Sequence, residues 1–161
     1  MFKYIIHLLI SLFVFVFATL SAWYEGSAII ENQLEWSYST PFTHFLGIDI
    51  ITGKEIVVLD YFVYATKFQP LFPLLMYLSI IYILALILVK VGKANIHLSM
   101  KLAFGLGILL LLFSTLCFNA TSYGGVLFYN ILLISAMLTI LLSMFFFIQS
   151  KHKEHFIEAN E

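Results

Sequence analysis

The chain has 161 residues and a formal net charge of −1, with 62% hydrophobic and 11% charged residues and a mean hydropathy of +1.02. Soluble domains carry about 25% charged residues, so this composition excludes a water-soluble globular fold, and the absence of a basic excess excludes a nucleic-acid partner. The single cysteine, Cys117, leaves no intramolecular disulfide, Cys-x-x-Cys redox pair or thiolate metal cluster within the chain.

Four segments are long and apolar enough to span about 30 Å of hydrocarbon at about 1.5 Å per residue. They run from Tyr4 to Ala22, Leu71 to Val91, Leu98 to Phe118 and Val126 to Ile148. The first follows Lys3 and ends in small residues, as a signal peptide does. Its apolar run exceeds a usual signal-peptide core, however, and no Ala-x-Ala triplet follows.

The first connection, residues 23–70, holds Glu25, Glu31, Glu35, Asp49, Glu55 and Asp60, whereas nothing between Lys3 and Trp23 is formally charged. It is too apolar for disorder and is expected to fold as a small cap. Trp36, Tyr38, Thr40 and Phe42 alternate with polar residues, which predicts a strand kept at an edge by Pro41. Thr52-Gly53 predicts a hairpin turn. Residues 59–68 have strand propensity but stand just before Pro70 and Pro73 at a helix entry; a short amphipathic interfacial helix with Lys67 snorkelling is the favoured reading, and a strand is the alternative. Trp23, Trp36 and Tyr38 are the expected packing residues of the cap. Exposed members of Glu25, Glu31, Glu35, Asp49 and Asp60 would give it an acidic recognition surface.

Farther along, Ser99, Ala103 and Gly107 recur every fourth residue, as do Ser135, Thr139 and Ser143. Such stripes let helices approach closely in lipid and predict packing of the third span on the fourth; a homo-oligomer contact through the same motif is the alternative. Asn130 reads as an interhelical hydrogen-bond donor and His7 as an interfacial residue. In the tail, residues 149–161, His152, His155 and Glu158 share a helical face but read as solvated rather than metal-binding.

The lysines set the orientation, because the chain has no arginine. Lys3, Lys90, Lys93, Lys101, Lys151 and Lys153 flank the two ends and the second connection. Lys54 and Lys67 alone lie in the first. The positive-inside rule then predicts both termini in the cytoplasm and the cap outside.

The sequence contains no HExxH, GxSxG or phosphate-loop motif, and His44, Asp49, Glu55 and Asp60 lack a spacing that forces them together. The expectation is no catalytic residue, no metal and no cofactor. The expected fold is an all-α membrane protein: one domain over residues 1–161, a four-helix bundle with an extracytoplasmic β/α cap.

The successions ATLSAWYEGS at 18–27, EWSYSTPFTH at 35–44, LDYFVYATKF at 59–68 and PLFPLLM at 70–76 resemble the uncharacterised YjdJ-like four-helix membrane proteins of Gram-positive spore-forming bacteria. The resemblance covers mainly the first 90 residues, and it implies a membrane location without an activity. The organisation is also similar to claudins in architecture, although the loop lacks their paired cysteines. The reading is a multi-pass plasma-membrane interaction or assembly protein, non-enzymatic, with the bilayer and a membrane or envelope protein as partners. The alternative is a small transporter or channel subunit with a cation-attracting entrance, and a third reading is an enzyme acting on lipid or envelope substrates.

Overall fold

A computed structural model describes the backbone of residues 2–158 and the side chains of residues 2–151. All regular structure among the described residues is helical. In chain order it comprises α1 (Phe2–Gly26), 3-10 turns at Ser27–Glu31 and Gln33–Glu35, α2 (Trp36–Ser39), α3 (Pro41–Phe45), α4 (Val58–Phe68), α5 (Leu71–Ala94), α6 (Ile96–Leu116) and α7 (Tyr123–Glu158).

Four stretches are long and apolar enough to cross a membrane: Phe2–Glu31, Leu71–Ala94, Ile96–Leu116 and Tyr123–Lys151. Hydrocarbon offers no water to backbone or hydroxyl groups, so each must find a partner within the protein. Several of the serines and threonines in these helices do so by donating to a carbonyl one turn back. Ser11 bonds His7 O at 2.8 Å, Thr19 bonds Phe15 O at 2.7 Å, and Ser79 bonds Leu75 O at 2.8 Å. Asn130 does the same with Val126 O at 3.0 Å and is exposed, which corrects its reading as an interhelical donor. Asn95 caps α6 by accepting from Leu98 N at 3.0 Å.

The cap contains no strand. The expected strand at 36–43 is instead the two short helices α2 and α3, and Thr52-Gly53 lies in an irregular turn rather than a hairpin. Thr40-Pro41 places proline at the first helical position of α3, where its missing N–H costs nothing and its fixed φ suits a helix. That local preference outweighs alternation over seven residues. Residues 59–68 are helical, within α4.

The chain divides into two compact units. One comprises the chain through Tyr82 together with Thr121–Gly125, and the other Ile83–Ala120 with the chain from Val126 onward. In the first unit Ala18, Ala22 and Gly26 line the buried side of α1. A Cβ on Gly26 would lie 2.0 Å from Tyr61 O, and one on Gly124 would lie 1.8 Å from Thr66 O. The backbone of α4 is therefore approached at both ends by glycine, where any side chain would collide. His7 Nδ1 and the Tyr82 hydroxyl pair at 3.1 Å.

In the second unit Ser99, Ala103, Gly107, Leu110 and Ser114 form the buried stripe of α6. Ser99 donates to Leu88 O of α5 at 2.8 Å, and Ser143 of α7 donates to Met100 O at 3.0 Å. The α7 side of this contact uses Ala136 and Ser143, which are buried; Ser135 and Thr139 are half-buried. Thr139 turns its hydroxyl to its own helix.

Gly107 and Gly105 make a matched pair for testing this contact. A Cβ at Gly107 would lie 2.6 Å from Ile140 Cγ1, whereas one at Gly105 would meet nothing within 4 Å. Gly107→Leu is expected to destabilise the protein by about 1–3 kcal/mol through overpacking, and Gly105→Leu to leave it unchanged or more stable by helix propensity. Thermal unfolding of the two variants in detergent checks this, and equal effects would remove the α6–α7 contact.

Candidate functional site

The cap, residues 27–68, has its own small core. Ile29, Ile56, Tyr61 and Tyr64 are buried together, with Ile30, Trp36 and Ile50 packed against them. Trp36 donates from Nε1 to Ile29 O at 2.9 Å. Its ring lies against Gly53, where φ is +80° and a Cβ would come within 2.9 Å of Trp36 Cζ2 and 2.7 Å of Ile30 O. Glycine therefore supplies both the left-handed backbone and the space for the indole. Asn32 adds a bond from Nδ2 to the Tyr64 hydroxyl at 3.1 Å.

Asp60 is the polar centre. Its side chain is fully buried and accepts from Phe42 N at 2.9 Å, Thr43 N at 2.8 Å and Thr43 Oγ1 at 2.5 Å. The amides are those of the first turn of α3, which has no local side-chain cap, because Thr40 turns its hydroxyl to Trp36 O. A carboxylate from α4 thus performs the capping that a Ser, Thr or Asp immediately before α3 would ordinarily perform. Thr43 Oγ1 also accepts from Val57 N at 2.9 Å, so the same threonine ties the start of α4 back to α3.

Two further polar pairs shape the periphery. Lys67 donates to Tyr38 O at 2.6 Å and Ser39 Oγ at 2.9 Å. Ser39 donates to Glu35 Oε2 at 2.6 Å, and the Lys67 ammonium lies 4.0 Å from that oxygen. Lys67 therefore satisfies the carbonyl end of α2. Glu55 accepts from Thr52 N at 3.0 Å and Thr52 Oγ1 at 2.8 Å. The backbone amides of Thr52 and Glu55, followed by the Thr52 hydroxyl, bring its carboxyl down to about 2.

The expected acidic surface is correspondingly smaller. Asp60 is interior, where its oxygens cap α3. Glu35 is half-buried and engaged by Ser39; Glu25 is half-buried with Oε2 enclosed and without a hydrogen-bond partner among the described residues. Glu31 and Asp49 remain exposed. Tyr38, expected to pack, is 75% exposed and contributes its carbonyl instead; Trp23 is half-exposed. No group of three or more His, Cys, Asp or Glu side chains among the described residues could hold a metal ion. The His152, His155 and Glu158 side chains lie outside the described residues.

Sequence reasoning missed the capping role of Asp60 and the Ala18, Ala22, Gly26 series. The latter had a readable signal in its four-residue spacing. The former did not, since its partners are 17 and 18 residues away.

A small helical cap and four helices long and apolar enough to cross a membrane define the class: an all-helical protein compatible with a multi-pass membrane setting. The chain belongs to the DUF4306 family, a domain of unknown function whose model matches residues 5–91. It is 35% identical over 101 residues to the uncharacterized protein YjdJ of Bacillus subtilis (strain 168), an alignment covering 58% of this chain and 93% of that protein. No solved structure matches it. The family region contains most of α1, the whole cap and most of α5, while α6 and α7 lie beyond it.

Asp60→Ala leaves the buried amide of Thr43 and the partly buried amide of Phe42 without an acceptor, the buried one worth about 1–3 kcal/mol. Limited proteolysis should cut the variant faster between residues 40 and 57, and Glu31→Gln should leave the pattern as in the wild type; identical patterns for both would show that Asp60 does not hold the cap.

The Glu55 turn gives a pH dependence. A carboxyl whose folded value is depressed contributes stability above its unfolded value, near 4.3, and loses it as pH falls through the folded value. The Thr52 amide is thus expected to keep its protection at pH 4 and lose it towards pH 2, with Glu55→Gln removing that dependence. Proton-exchange measurements across this range check it.

Proposed function

We propose that this chain is a multi-pass plasma-membrane protein with both termini in the cytoplasm, in which the extracytoplasmic cap binds a membrane or envelope protein without catalysing a reaction. The lysine distribution supports the orientation. The observation that carries the recognition role is how the cap uses its polar groups. Asp60, Thr43, Glu35, Lys67 and Glu55 are committed to holding the fold together. Among the side chains left exposed are large apolar ones, with Phe45 88%, Leu34 84% and Ile51 78% exposed, interspersed with polar residues that include Glu31, Asp49 and Lys54. Large exposed apolar patches rimmed by polar groups mark interaction sites. A rigid cap also presents them without an ordering cost at binding.

A channel subunit with a cation-attracting entrance is the second reading, and the enclosed, unpartnered Glu25 Oε2 favours it. Cation flux into proteoliposomes that is lost in Glu25→Gln would select that reading over the first.

With Cys117 replaced by serine, a cysteine at Gln33 should react with a membrane-impermeant thiol reagent in intact cells and one at Gln149 should not. A photo-crosslinking residue at Phe45 should then give one discrete protein adduct, diminished by Glu31→Gln with Asp49→Asn. Reversed labelling would overturn the orientation, and the absence of a discrete adduct would overturn the recognition role.

A further inference from the structure

Between α6 and α7 lies a groove of about 310 Å³, walled by Met100 and Phe104 on one side and Met144, Phe147 and Ile148 on the other. The Ser143 hydroxyl in its wall is spent on Met100 O, so the lining offers a ligand almost nothing polar except Lys101. Lys151 lies beside the same groove, its ammonium 5.4 Å from the ring centroid of Phe147.

Lys101 is unusual in position. It lies five residues beyond Ile96, about 7.5 Å along a span otherwise free of charge, and among the described residues it has no hydrogen bond or ion pair. An unpaired ammonium at that depth is costly unless it snorkels to the headgroup level or meets an anion. The apolar groove beneath and the two lysines at its mouth combine the two requirements of a lipid: a slot for an acyl chain and cations for a phosphate. Basic pockets between membrane helices hold acidic headgroups in this way.

We propose that the α6–α7 groove binds one anionic phospholipid, an acyl chain lying against Phe104, Met144 and Phe147 and the phosphodiester held between Lys101 and Lys151. A zwitterionic lipid brings its own ammonium and has less need of the two lysines, so the site discriminates by net headgroup charge. This site rests on the reading of α6 and α7 as membrane helices, but not on which side of the membrane the cap occupies.

Native mass spectrometry of the full chain in detergent, titrated with dioleoylphosphatidylglycerol or dioleoylphosphatidylcholine, tests it. One phosphatidylglycerol per chain should be retained, at least about fivefold more tightly than phosphatidylcholine. Lys101→Gln and Lys151→Gln should each weaken retention about fivefold, with Lys93→Gln, an exposed lysine outside the groove, leaving it unchanged. Met144→Trp should block the slot for either lipid; if that variant fails to fold, the lysine variants decide alone. Equal retention of the two lipids, or an equal loss in Lys93→Gln, would overturn the site. Failure of the wild-type chain to insert into liposomes, measured by flotation and resistance to alkaline extraction, would instead overturn the membrane reading on which it rests.

Discussion

Asp60 joins two segments of the cap that nothing in the local sequence would bring together. Its oxygens satisfy the first-turn amides of α3, and Thr43, one of the residues it binds, receives the amide of Val57 in return. Because Asp60 and Thr43 are buried, removing either one leaves the other's polar atoms away from water without a partner. The path of the chain from 40 to 60, and hence the outward presentation of Phe45, Asp49 and Ile51, follows from that closure. Trp36 supports it from the other side by filling the space over Gly53 and bonding Ile29 O.

The cap is coupled to the long helices by backbone proximity more than by side-chain chemistry. Gly26 of α1 and Gly124 at the start of α7 each admit the backbone of α4 at a distance no other residue would tolerate. In α6 and α7 the same device recurs where Gly107 meets Ile140. Close approach through small residues gains dispersion contacts in surroundings where apolar burial offers little. The self-bonded serines and threonines then let the remaining faces stay apolar without leaving a hydroxyl unpaired.

The extent of the DUF4306 match separates two kinds of machinery. Residues 5–91 carry the cap with most of α1 and α5, whereas the groove lined by Lys101 belongs to the α6–α7 hairpin beyond that region. The recognition proposed for the cap and the lipid binding proposed for the groove would therefore use different residues and different chemistry. The first would rely on exposed apolar groups, and the second on an apolar slot with lysines beside it.

The sequence by itself determined the four long apolar helices, because about twenty consecutive apolar residues leave few options other than a helix of membrane-spanning length. It also determined the small-residue stripe through Ser99, Ala103 and Gly107, since helical periodicity is local and is written in spacing, but it left 59–68 open between a helix and a strand. Only the tertiary structure decided that 36–45 is helical rather than a strand. It also withdrew Asp60 from the surface, left Tyr38 exposed, and made Ala136 rather than Ser135 the buried partner of α6. Each of these depends on a contact between residues far apart in the chain. A seven-residue alternation cannot show that a carboxylate 17 residues away will cap the helix it could instead become, and the side of a small-residue stripe that is buried is fixed by the helix facing it.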